Sequence, residues 1–282
     1  MRRWLLPALL LGLLPGIVLA DEADVHYRQG LAYKKDGKTD LALSEMLEAL
    51  KLRKDYAAAE FSAGVLYKMR NELQYAVDHL ERAVKLQPKN AEAHASLAYT
   101  YAKLGGKDYE ALHELEQAVE LNPNDSSTQA SLGALYRQKK AYDKAIPHLE
   151  QAVLLDPHDA NALSNLGVAY RQTNKMAEAE KYLQRALELK PDSAEALFNL
   201  ATIYRRESKT KEAIATYEKA IQVSPMLADA HHDLGILYAQ EKRNEDAIRE
   251  WNLYLDLVAS QNPGEADVAR KRVRDLGGKP SR

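Results

Sequence analysis

The sequence predicts an all-α solenoid built from helix-turn-helix units stacked side by side, with one further helix at the C-terminal end. Three observations carry this. The same residue types return at a shift of 34 residues seven times, at Ala23, Ala57, Ala91, Ser126, Ala160, Ala194 and Ala228. A small residue followed three places later by tyrosine recurs in all seven units. Proline closes five of them, at Pro88, Pro123, Pro157, Pro191 and Pro225, where a helix cannot continue.

Residues 1–20 read as a secretory signal peptide: Arg2 and Arg3, an apolar run from Trp4, then Val18-Leu19-Ala20 before Asp21. Cleavage after Ala20 is expected, with a periplasmic location. An uncleaved inner-membrane anchor is the competing expectation, against which the run, at the short end for spanning a bilayer, weighs.

The units are expected at 23–56, 57–90, 91–125, 126–159, 160–193, 194–227 and 228–261. Their eighth residues are Gly30, Gly64, Ala98, Gly133, Gly167, Ala201 and Gly235, and the tyrosines follow as Tyr33, Tyr67, Tyr101, Tyr136, Tyr170, Tyr204 and Tyr238. A small residue lets two helix backbones approach, and a ring fills the remaining space. A second small place, Ala42 to Ala247, is followed at helical spacing by Met46, Leu80, Leu115, Leu149, Leu183, Tyr217 and Trp251. That marks the buried stripe of each second helix. The third unit carries its extra residue at Gly105-Gly106, in the loop between its helices, where an insertion costs little. Pro147 lies early in the second helix of the fourth unit, and a slight bend is expected there. Residues 262–276 place Ala266, Ala269, Val273 and Leu276 on one helical face and end at Gly277, the pattern of a capping helix; 277–282 form a tail.

Composition narrows the function classes. Lys and Arg total 39 against 41 Asp and Glu, a net charge of −2, which does not attract nucleic acid. With no cysteine there is no disulfide, thiolate metal site or cysteine nucleophile. No Walker loop, dinucleotide fingerprint, GxSxG or HExxH motif occurs, so no enzyme, cofactor or small-molecule substrate is expected. The one local cluster of ligand-type residues, Asp229, His231, His232 and Asp233, reads as an ordinary helix surface rather than a metal site.

A 34-residue period with small, Tyr, Ala, Leu, Ala and Pro at these offsets resembles the tetratricopeptide repeat over Ala23 to Gln261. The departures lie at the ends: Lys54 stands where later units have proline, and Tyr254 and Ala259 replace alanine and proline in the last. The resemblance implies a right-handed superhelix whose concave face is lined by the first helix of each unit. On that reading Ser131, Asn165 and Asn199 form a polar row able to bind a peptide backbone. Lys34, Lys68, Arg137, Arg171 and Arg205 form a basic row favouring carboxylate-bearing segments, and Phe61 and Phe198 add apolar anchors. The family's terminal-carboxylate clamp requires lysines at two places where this chain has none. The expected function is a non-enzymatic protein- or peptide-binding scaffold in the bacterial cell envelope. The alternatives are an accessory recruiting subunit of an envelope polysaccharide, secretion or wall-synthesis enzyme complex, and a structural array that self-associates through its end units.

Overall fold

A computed structural model describes residues 21–281; the signal peptide expected at 1–20 and Arg282 of the tail lie outside them. The described residues form fifteen α-helices and no strand. The chain divides into two compact units, 1–111 and 112–282, with the boundary inside one helix.

The first unit holds α1 (Glu22–Lys35), α2 (Thr39–Leu52), α3 (Ala57–Met69), α4 (Leu73–Leu86), α5 (Ala91–Leu104) and the start of α6 (Asp108–Leu121). Consecutive helices from α1 to α5 pack on one another, and α3 also reaches α5. Between the first two hairpins the core is Ala42, Leu43, Met46, Ala49, Ala59, Ala63 and Leu66.

The second unit holds the rest of α6, then α7 (Ser126–Gln138), α8 (Tyr142–Leu155), α9 (Ala160–Gln172), α10 (Met176–Leu189), α11 (Ala194–Arg206), α12 (Thr210–Val223), α13 (Ala228–Gln240), α14 (Asn244–Val258) and α15 (Pro263–Asp275). Here α7 packs on α9 and α9 on α11, so successive first helices form a continuous row. Pro147 is inside α8, past its first turn, where it removes one backbone hydrogen bond from a helix that nonetheless runs on to Leu155. At the C-terminal end α15 buries Ala266 and Ala269 against Tyr254 and Leu255. Val273 joins the cluster around Trp251 and Tyr217.

Local chemistry explains the hairpins. After four of the five closing prolines an acceptor side chain caps the next first helix: Asn90 accepts from Ala93 N–H at 3.1 Å, Asp125 from Thr128 N–H at 3.2 Å, Asp159 from Ala162 N–H at 3.0 Å and Ser193 from Ala196 N–H at 3.4 Å, while after Pro225 Leu227 stands at the cap. The turn inside each hairpin is left-handed at one repeated place, at Gly37, Asn71, Gly105, Lys140, Asn174, Ser208 and Lys242. The N–H of the next residue, immediately before the second helix, then reaches back to the tyrosine carbonyl: Lys175 to Tyr170 at 2.9 Å and Arg243 to Tyr238 at 2.8 Å. The same cation lies on the ring, with Lys175 Nζ 5.3 Å and the Arg243 guanidinium 4.1 Å from the centroids.

The recurrent tyrosine does more than fill space. Its hydroxyl donates to a glutamate twenty residues earlier, on the second helix of the preceding hairpin: Tyr101 to Glu81 at 2.6 Å in the first unit, and Tyr136 to Glu116, Tyr170 to Glu150 and Tyr238 to Glu218 in the second. Burial, then the bonded carboxylate, pushes the Tyr136 hydroxyl up to about 12, so it remains a donor at any physiological pH.

Candidate functional site

The face formed by α7, α9 and α11 carries Arg137, Arg171 and Arg205, one per helix at 34-residue intervals. All three are half-buried, and in all three the Nε–H is buried without an acceptor. A buried donor left unpaired costs about 1–3 kcal/mol, more when it is charged, so three in register make this row energetically incomplete. Two of the arginines find carboxylates farther along: Arg137 reaches Glu195 at 2.7 Å and Arg205 reaches Asp233 at 3.2 Å. Arg171 pairs with no carboxylate among the described residues. Burial, and after it the nearby Arg206 charge, holds its guanidinium below the ordinary arginine value.

Beside this row, a cleft of about 450 Å³ opens between α7 and α9, lined by Ser131, Asn161, Asn165 and Asp159 among others. Asn165 is half-buried, and its amide bonds to no other described residue. The Ser131 hydroxyl donates to the Ser127 carbonyl at 2.8 Å. Asn199 is placed differently from an open ladder residue. It is only 4% exposed, and its Nδ2 donates to the Glu195 carbonyl at 2.7 Å, so it serves the turn of its own helix. Phe198 lies against Tyr217 with centroids 5.8 Å apart, packed on the core rather than projecting from the row.

The first unit holds the remaining residues of the expected site. Lys34 on α1 and Lys68 on α3 are half-buried, as is Phe61. Burial first, then the charges of Lys103 and Lys34, lowers the Lys68 ammonium from its usual value, and Lys68 Nζ lies 5.9 Å from the Tyr99 ring centroid.

The histidines contribute a feature the spacing alone did not disclose. The fourth residue of a unit faces the residue nineteen places later within its own hairpin. His26 pairs with Glu45 at 2.6 Å and His231 with Glu250 at 2.8 Å, while the order is reversed in Glu60 and His79 at 2.5 Å. His231 therefore turns away from Asp229. His232 bonds Asp233 at 3.3 Å and the Arg272 guanidinium at 2.7 Å, and Asp233 accepts from Tyr217 at 2.8 Å. Among the described residues no three His, Asp or Glu side chains gather as metal ligands. No described helix is long and apolar enough to cross a membrane.

Stacked helical hairpins that present a row of polar and charged first-helix side chains define a scaffold of the repeat class. Family models described as tetratricopeptide repeat match residues 23–56, 126–192, 158–226 and 198–266, and one described as TPR repeat matches 66–105. The chain belongs to the tetratricopeptide-repeat family. No catalytic family is among the matches, and no curated protein matches the chain. Among solved structures, YrrB, described as a TPR protein with an unusual peptide-binding site, is 26% identical, with a TM-score of 0.57 over 63% of this chain and 91% of its own. PilF of Pseudomonas aeruginosa is 23% identical, with a TM-score of 0.62 over 78% and 98%. MamA of Desulfovibrio magneticus RS-1 is 22% identical, with a TM-score of 0.55 over 61% and 96%. The last two likenesses are likenesses of fold.

Proposed function

We propose that the protein is a non-enzymatic scaffold of the bacterial cell envelope that holds an extended acidic segment of a partner protein along α7, α9 and α11. The observation that carries this reading is the register of Arg137, Arg171 and Arg205, each with a buried Nε–H that has no acceptor among the described residues, and with Arg171 paired to no carboxylate among them. A guanidinium presents a planar fork that a carboxylate fills with two hydrogen bonds, so an incoming acidic side chain satisfies the orphaned donors. The open amide of Asn165 is suited to the backbone of the same segment. The peptide-binding site described for YrrB supports a peptide ligand.

Spacing sharpens the ligand. Packed helices lie about 8–10 Å apart, and an extended chain advances about 3.3 Å per residue. Carboxylates about three residues apart therefore meet successive arginines. The envelope location is supported by the signal-like pattern of residues 1–20, and amino-terminal sequencing of the protein from a periplasmic fraction, expected to begin at Asp21, tests it.

Fluorescence anisotropy with a labelled peptide carrying Asp at every third position tests the binding mode. Binding is expected to weaken with salt, and to fall at least about thirtyfold in Arg171→Ala, the range for removing one partner of a desolvated charge pair. Equal binding of a peptide with the same composition but shuffled spacing, or an unaffected Arg171→Ala, would overturn the reading.

A further inference from the structure

One arginine of the row is held from two hairpins away. Arg137 stands in the last turn of α7 and Glu195 in the first turn of α11. Their ion pair, 2.7 Å long and 58 residues apart in sequence, joins the first and third of three consecutive first helices and so spans α9. The backbone that carries Glu195 is fixed, because the Asn199 amide donates to the Glu195 carbonyl at 2.7 Å and Ser193 caps the same turn.

The two internal carboxylates on the row are held with unequal firmness. Asp233, the partner of Arg205, is 14% exposed, accepts from the Tyr217 hydroxyl at 2.8 Å and bonds His232 at 3.3 Å. Drawing it away from Arg205 would break those bonds as well. The Glu195 side chain is 56% exposed, and its carboxylate bonds no described residue other than Arg137. It takes one Nη of Arg137 and leaves the buried Nε–H without an acceptor. A carboxylate that takes Nε–H and an Nη together makes two bonds where Glu195 makes one. An exposed ion pair carries little energy of its own, so such a carboxylate can replace it. The same shift of 58 residues leads from Arg171 to Asp229, a side chain shorter by one methylene, and no ion pair forms there among the described residues. Arg171 thereby stays open to an incoming group.

We propose that Glu195 is a displaceable strap that sets the specificity of the arginine row. In the free protein it occupies Arg137 across α9, and an acidic segment binds by putting its own carboxylate in place of that of Glu195. A segment with no carboxylate to offer at Arg137 leaves the strap closed. The inference rests on the acidic-segment reading of the row and adds the residue that competes with the ligand.

The probe is the labelled peptide with Asp at every third position, titrated into the full-length protein at low salt and followed by anisotropy. Glu195→Gln is expected to bind it about two- to fivefold more tightly, the range that an exposed ion pair carries, and to keep the thermal midpoint of the parent. In an Arg137→Ala background the same change is expected to have no effect, since the strap then has nothing to hold. Glu212→Gln, in the exposed first turn of α12, removes an equal charge away from the row and is expected to match the parent. The proposal is overturned by a Glu195→Gln protein that shows no gain, by a gain that persists without Arg137, or by an equal gain in Glu212→Gln. Weaker binding in Glu195→Gln would make Glu195 a support for Arg137 and overturn it too. Absence of binding, or an Arg171→Ala variant without effect, brings down the acidic-segment reading and the strap with it. A weakened Arg171→Ala beside a neutral Glu195→Gln brings down the strap alone.

Discussion

At the scale of single residues, two histidines at related places in the second unit are tuned in opposite directions. Burial pulls His231 down, but hydrogen bonds to Glu250 and the Pro225 carbonyl, with the Glu250 charge, outweigh it and leave its value raised. His148 faces the neutral Gln129 amide at 2.9 Å, and burial lowers it. A histidine raised by folding stabilises the protein fully below its unfolded value of about 6.5 and loses that contribution as pH rises through the folded value. A lowered one stabilises above about 6.5 and loses its contribution as pH falls through the folded value. Urea midpoints from pH 5 to 8.5 should therefore show that His231→Gln removes a component declining with pH, while His148→Gln removes one rising with pH. Parallel shifts in the two variants would contradict the pairing. Neither pair was legible in the sequence, because the carboxylate partner changes sides between units and in the fourth unit is replaced by an amide. The basic row was legible from its 34-residue spacing. Its unsatisfied Nε groups, and the reach of Arg137 to a glutamate two hairpins on, depend on how side chains of different units meet, which no local pattern records.

At the scale of elements, the sequence signals the hairpins because packing leaves little choice at a few places. A Cβ on Gly167 would lie 2.7 Å from Leu183 Cγ, so the place tolerates only small residues and the periodicity is visible by eye. The left-handed turn was harder to read. Glycine marks it in the first and third units, but asparagine, lysine and serine occupy it elsewhere, because the hairpin around it overrides their preference. Lys140 and Lys242, at φ of 59°, carry that cost without asparagine's tolerance for it. Replacing a strained non-glycine residue relieves about 1–2 kcal/mol of backbone energy and gives back part through the freer unfolded chain. Lys242→Gly is expected to gain about 0.5–1 kcal/mol in chemical denaturation. Glu241→Gly one place earlier, in right-handed conformation, should lose stability; a loss in both would show that the turn stores no relievable strain.

At the scale of the whole molecule, stability is a sum of hairpins and the interfaces between neighbours, so a local defect should be felt locally. Gly235 gives the clearest probe. A Cβ there would sit 2.5 Å from Trp251 Nε1, whose N–H donates to the His232 carbonyl at 3.2 Å. The indole is further held by Val273 of α15 and by Arg272, 5.6 Å from the ring centroid, so it cannot step aside as a leucine end could. The sixth hairpin shows the permitted alternative, with Ala201 in one cluster with Tyr217. Gly235→Ala is expected to cost about 1–3 kcal/mol as an overpacked core, and Trp251→Leu in that background should recover part of it by removing the obstacle. In native-state hydrogen exchange the loss should appear in α13, α14 and α15 and fade through α12, leaving α1 to α4 at parental protection. Uniform loss of protection from α1 to α15 would mean that the chain unfolds as one cooperative body, and the nearest-neighbour account would not hold for it. The localised pattern would establish that the C-terminal hairpins can be altered without transmitting damage to the arginine row, the condition on which the binding comparison at that row depends.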